Sequence, residues 1–145
     1  MGEGACRCSA RQVDRWAGRR MTLVLDAGAF IAVERGDRRV MALLAREHRA
    51  GRLPVTHGGV VGQVWRGDAR QVRVAGLISG SAVVSLDEAL GRAAGALLAR
   101  SGGRDVIDAA IIVLAADGDE ILTSDADDLR ALAAASGTQT ELVEV

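Results

Sequence analysis

The sequence predicts an α/β fold, with a central, mostly parallel sheet of four to five strands flanked by helices. Three observations lead there. Short apolar runs, "TLVLD", "LPVT", "SAVVSL", "EILTSD" and "TELVEV", recur along the chain. Longer stretches with apolar residues at helical spacing separate them. No two-residue turn signal of the kind that joins antiparallel strands stands between any pair of runs. Strands alternating with helices, without hairpins, build parallel sheets.

Taken in order, Met1–Arg20 is rich in Gly, Arg and Ser without periodicity and reads as a flexible leader, so that Met21 is a candidate natural start. The domain is expected over residues 21–145. "TLVLD" (Thr22–Asp26) is a continuous apolar run, as expected of a strand buried on both faces. "AGAFIAVERG" continues as a helix stopped by Gly36. Asp37 then caps "RRVMALLAREHRAG", in which Val40, Leu43, Leu44 and Glu47 share a face. "LPVT" is the second strand, and His57 to Arg66 reads as a helix despite Gly58, Gly59 and Gly62. Asp68 is expected to open another helix through Leu77 and Ile78. "SAVVSL" (Ser81–Leu86) is the third strand. Asp87 caps a helix through Arg100, in which Gly91 and Gly95 would allow close approach of a neighbour. "GRDVIDAAIIVLAADG" supplies the next helix, "EILTSD" (Glu120–Asp125) the fourth strand, "ADDLRALAAASG" a helix, and "TELVEV" a terminal strand.

With 145 residues, 49% of them apolar, the chain is long enough for one domain with a proper core. One Phe and no Tyr leave that core to Ala, Val, Leu and Ile. No apolar run approaches a membrane span, so a cytoplasmic protein is expected. Cys6 and Cys8 are too few for a tetrahedral zinc site within one chain and sit in the patternless leader. All 18 basic residues are arginine. Through Ala75 there are fourteen arginines against seven acids, and from Gly76 onward four against twelve. Such asymmetry suits an acidic pocket beside a basic, phosphate-facing surface.

The chemistry resides in the acids. Two strands end in aspartate, "LVLD" at Asp26 and "ILTSD" at Asp125. The helix just before the second of those strands opens with Asp105 and Asp108, three residues apart and therefore on one face. Helix starts and strand carboxyl ends lie on the same edge of a parallel sheet, where ligands gather. Singly, each acid could be a helix cap, and Asp127 and Asp128 read as first-turn charges favoured by the helix dipole. As a set, four carboxylates on one edge repel one another and favour a hard dication, Mg2+ or Mn2+, over zinc or copper. A metal there can orient water and stabilise charge developing on a phosphoryl group.

"LVLDAGAFIAVERG", followed by "VIDAAIIVLAADGDEILTSDADDL", resembles a PIN domain of the VapC type, the toxin half of toxin–antitoxin pairs. The likeness extends over Met21–Val145. It implies a PIN-like three-layer fold and a metal-dependent endoribonuclease that hydrolyses RNA phosphodiester bonds. It also implies a homodimer and a small antitoxin partner that blocks the site. Asp26, Asp108 and Asp125 match the family's catalytic acidic positions, and Asp105 an additional metal-binding acid. Thr123 and Ser124 fall where a hydroxyl supports the metal site or substrate. Gln63 in "GGVVGQVWRG" departs from the family's glutamate and weakens any second metal site, for which Glu34, about 12 Å beyond Asp26, does not compensate.

Arg35 and Arg66, with Arg38, Arg39, Arg70 and Arg73, are candidate RNA phosphate contacts. Trp65 is placed either to stack on a base or in the core or an interface. His48 and His57 show no paired spacing and receive no catalytic role. Two other readings compete with the nuclease. A receiver-like signalling domain needs a paired acidic cluster after the first strand and a lysine near the last; the chain has a lone acid and no lysine. A PIN-like interaction module weakened in catalysis at Gln63 is the alternative that only an activity assay separates.

Overall fold

The computed structural model describes residues 21–145; the expected leader, with Cys6 and Cys8, lies outside the described residues. Five strands form one sheet: β1 (Leu23–Leu25), β2 (Val55–His57), β3 (Ala82–Val84), β4 (Glu120–Thr123) and β5 (Glu141–Glu144). All four pairings are parallel and the spatial order is β3-β2-β1-β4-β5. Every residue of β1 is buried, which explains its unbroken apolar run: a central strand covered on both faces has no polar side. The edge strands β3 and β5 retain exposed residues, Val83 on one and Glu141 and Glu144 on the other.

Seven helices among the described residues flank the sheet. α1 (Ala27–Glu34) packs with α2 (Arg38–Arg49), α3 (Gly58–Val64) and α4 (Val72–Ser79). α5 (Glu88–Ser101), α6 (Val106–Leu114) and α7 (Ala126–Ser136) pack with one another. The two groups give three layers. Phe30, Ile111, Ile112, Ile121 and Leu122 are fully buried between them.

Most helix starts follow the predicted chemistry. Asp37 accepts from Val40 N and Asp87 from Leu90 N, and Gly36, at φ 76°, turns the chain after α1. The sequence expectations needed four corrections. The second strand is Val55–His57, so Leu53 and Pro54 precede it; His57 closes it and caps α3, which runs only from Gly58 to Val64 and stops short of Arg66. Asp68 does not start a helix: its side chain accepts from Arg70 N in a turn, and α4 begins only at Val72. A side chain that bonds the backbone two residues on favours a turn over a helical entry. The third strand and the fourth shorten to three and four residues. Finally, a Cβ on Gly91 or Gly95 would meet nothing within 4 Å. Neither glycine serves a close helix contact.

Candidate active site

The chain runs outward from β1 through β2 to β3, then returns to the other side of β1 for β4 and β5. The order therefore reverses between β1 and β4, and the crevice beyond the carboxyl ends of those two strands is the natural ligand position of such a sheet. Asp26 follows β1 there, and Asp125 follows β4.

Asp26 is 6% exposed. Its Oδ1 caps α1 by accepting from Ala27 N at 2.7 Å, and its Oδ2 accepts the Thr123 hydroxyl at 2.9 Å. Thr123 is fully buried, and its Oγ1 in turn accepts from Asp125 N at 3.0 Å. One hydroxyl thus ties the end of β1 to the turn after β4. The two turns approach so closely because residue 28 is glycine: a Cβ there would stand 2.5 Å from the Ser124 backbone nitrogen. Ser124 itself is exposed beside α1. Asp125 holds the N-cap position of α7 yet makes no side-chain capping bond to its backbone; its carboxylate interacts with the Asp128 side chain instead.

The third contribution comes from α6. Asp105 caps it, accepting from Ile107 N at 2.8 Å and Asp108 N at 3.2 Å. Asp108, one turn in, is half-buried. Burial, then the carboxylates of Asp105, Asp26, Asp128 and Asp125, push its pKa up to about 7. Five acids distributed over three chain segments therefore act on one another at this edge. Like charges so gathered favour a neutral form or a bound cation.

Two members of this neighbourhood were not picked out from the sequence. Asp128, read as a surface charge, has its pKa raised by Asp125, first through charge and then through hydrogen bonding. The signal was available, because Asp125 and Asp128 repeat at the start of α7 the three-residue spacing of Asp105 and Asp108. His57 is the other. It ends β2 as Asp26 ends β1, and its ring is fully buried, with Nε2 donating to Ile107 O at 3.0 Å and Nδ1 accepting from Gly59 N at 3.1 Å. Burial lowers its pKa against the opposing pull of Ile107, Asp26 and Asp105. A neutral imidazole serves both bonds at once, tying β2 and α3 to the first turn of α6.

Gln63 is not among the residues lining the groove at Asp108. It is exposed on α3 and lines a second groove with Glu34, Arg66, Asp68, Arg70 and Gln71. Arg66 folds onto the end of its own helix, donating to Gly62 O at 3.1 Å and Trp65 O at 2.7 Å, while Arg35 is exposed after α1. Arg39 and Arg73 reach the backbone oxygens of Glu144 and Glu34. Trp65 is 42% exposed beside Val61 and Ile78, a surface position and not a core one.

The donor set at the sheet edge fits a hard dication by its chemistry: oxygen ligands only, with negative charge in excess. Among the described residues, however, no three His, Cys, Asp or Glu side chains form a ready coordination group, so the carboxylates face one crevice without already enclosing an ion.

These features define a class: a three-layer α/β domain with acids at the β1/β4 switch point. The family model described as PIN domain matches residues 23–135, and the chain belongs to that family. PIN domains are nuclease-type domains that typically depend on divalent metal ions. No curated protein matches the chain. No helix among the described residues is long and apolar enough to cross a membrane.

Proposed function

We propose that the chain is a Mg2+- or Mn2+-dependent endoribonuclease that hydrolyses RNA phosphodiester bonds in the cytoplasm, as the toxin half of a type II toxin–antitoxin pair of VapC type. The observation that supports the nuclease reading is that Asp105, Asp26 and Asp125, from three chain segments, all act electrostatically on half-buried Asp108, whose pKa is raised to about 7. Structural carboxylates are normally paired or hydrogen-bonded into the charged state; this one is pushed the other way. The toxin assignment, the homodimer and the antitoxin partner are supported by the sequence resemblance set out above.

Asp26, Asp108 and Asp125 would hold the ion, with Asp105 assisting from the cap of α6. When bound, the dication supplies positive charge against the charge that develops on the phosphoryl oxygens. The chain's own residues do the rest. The Thr123 hydroxyl fixes the orientation of the Asp26 carboxylate and the turn carrying Asp125. Neutral His57 fixes the first turn of α6, and through it Asp108.

The test is direct. The purified full chain should cleave RNA with Mg2+ or Mn2+ and stop with EDTA. Asp26→Asn should lower the rate by roughly 100-fold or more, the scale of losing one charge-stabilising group at a reaction centre. Undiminished cleavage by Asp26→Asn and Asp108→Asn would remove the proposal. Total inactivity of the wild type with either metal, in a folded protein, would favour the interaction module, a reading that rests on Gln63 standing where the family resemblance puts a glutamate.

A further inference from the structure

A groove of about 370 Å3 leads away from Asp108 between the α5–α6 connection and α7. Ser101 to Asp105 and Asp108 form one wall; Asp127, Asp128, Ala131 and Leu132 form the other. The connection is held tightly in place. Gly102, at φ 74°, ends α5 in a left-handed turn that a side chain would strain. A Cβ on Gly103 would stand 3.2–3.3 Å from Leu98, Ser101 and Leu132, so this backbone lies close against α7.

Arg104 is the one cation among the residues lining that groove, and it is exposed. The acids around it have other engagements. Asp105 accepts from two backbone N–H groups of α6. Asp127 is bound by Arg130. Asp128 interacts with Asp125. The leading influences on Asp108 are burial and four carboxylates, with no cation among them. The Arg104 guanidinium therefore does not serve to neutralise the acidic crevice. Its five N–H donors, in a planar fork suited to phosphate oxygens, are unused.

We propose that Arg104 is a substrate-binding residue: it takes a backbone phosphate of single-stranded RNA lying in the α6–α7 groove, next to the bond positioned at Asp108. A polyanion cannot lie along walls of carboxylates without at least one fixed cation. This groove supplies one, directly preceding the cap of the helix that carries Asp108. The inference rests on the nuclease reading and adds to it the path of the strand. The arginines singled out from the sequence all lie before Ala75 and none lines this groove.

The experiment uses the full chain and a single-stranded RNA oligonucleotide in EDTA, which withholds the metal that hydrolysis needs, so that binding is read alone. Cleavage of the same RNA is measured separately with Mn2+. Arg104→Ala should weaken binding about tenfold and flatten the salt dependence of log Kd by about 0.7, the share of one phosphate contact on a single strand. In cleavage, KM should rise with kcat held within about twofold. Arg104→Lys should recover most of the affinity, and Arg100→Ala, an exposed arginine on α5 outside the groove, should bind like wild type. Melting temperatures of all variants should coincide. Wild-type binding by Arg104→Ala in a protein that cuts RNA overturns the inference and leaves the nuclease standing. A loss confined to kcat also overturns it, by making Arg104 part of the reaction centre. A folded wild type that neither binds nor cuts RNA removes the nuclease reading, and this inference with it.

Discussion

The two edges of the sheet carry charge in opposite ways. At the amino edge, where β4 begins, Glu47 is fully buried yet held by Arg52 at 2.9 and 3.0 Å and by Arg46 at 3.2 Å, while Arg46 also grips Glu120 at 2.6 Å. Asp119 nearby spends its two oxygens on the backbone N–H groups of Thr22 and Ala116. At the carboxyl edge five aspartates act on one another, and among the described residues no arginine bridges them. The Arg52 hydrogen bond leads in lowering the pKa of Glu47 against its burial; burial and its neighbours raise that of Asp108 to about 7. One carboxylate is built to stay ionised and hold a loop to a helix. The other is left for something the folded chain does not itself provide.

Reciprocal substitutions should separate the two roles most sharply. Asp108→Asn should abolish metal-dependent RNA cleavage, by roughly 100-fold or more, while leaving the metal-free fold as stable or slightly more so, since a repelling charge is removed. Glu47→Ala should do the reverse. It removes the buried acceptor of three hydrogen bonds from two part-exposed arginines and should lower stability by about 1–3 kcal/mol, with cleavage per folded molecule unchanged. Thermal melts beside a cleavage assay decide it. A large stability loss in Asp108→Asn would make Asp108 a structural group like Glu47 and dissolve the contrast.

The pH dependence follows with a definite sign. The folded pKa of Asp108, about 7, lies above its unfolded value of 3.8. The stability linked to its proton is therefore complete below about pH 4 and disappears as pH rises through 7. Glu47 is displaced the other way: its contribution is present above its unfolded value of 4.5 and is lost as pH falls through the lowered folded pKa. In EDTA the melting temperature should fall between pH 5 and 8, by on the order of 5 °C once partial solvent contact of Asp108 is allowed for. Asp108→Asn should remove that slope and Glu47→Gln should leave it. With Mn2+ present, binding competes with the Asp108 proton, and the slope should flatten or reverse. A slope unchanged in Asp108→Asn would assign it to another group.

The same contrast shows what the sequence could and could not convey. The strand order places Asp26 and Asp125 side by side, and both were legible because a strand-end acid needs only a count of residues from an apolar run. Asp105 and Asp108 were legible from helical spacing. Glu47 could be placed on the inward face of α2 by the same spacing, but its network could not: Arg52 lies past the end of the helix, and Arg46, its other partner, also reaches Glu120, 74 residues on. His57 escaped because its two bonds, to Ile107 and Gly59, are backbone contacts set by the meeting of β2 and α6, and no pairing of residue types announces them. The Asp68 turn and the open surroundings of Gly91 and Gly95 misled for a related reason. A capping residue or a small residue permits a structure without requiring it.

The smallest expected effect is at Gln63, and it tests where the functional edge ends. The family resemblance puts a glutamate at this position, which would make it a fifth ligand group, yet the side chain lines the groove of Glu34, Arg66 and Gln71, not that of Asp108. Gln63→Glu adds a charge that acts on the crevice only through solvent-screened Coulomb attraction. Metal affinity measured by calorimetry should therefore rise by no more than about threefold, roughly the 0.6 kcal/mol that such an exposed charge contributes. Cleavage should change as little. A tenfold gain in affinity would mean that α3 turns residue 63 toward Asp26 when the ion arrives, so that the acidic edge extends across the first group of helices. No gain at all would confine it to the ends of β1 and β4 and the start of α6, the arrangement that the Thr123 and His57 hydrogen bonds already hold in place.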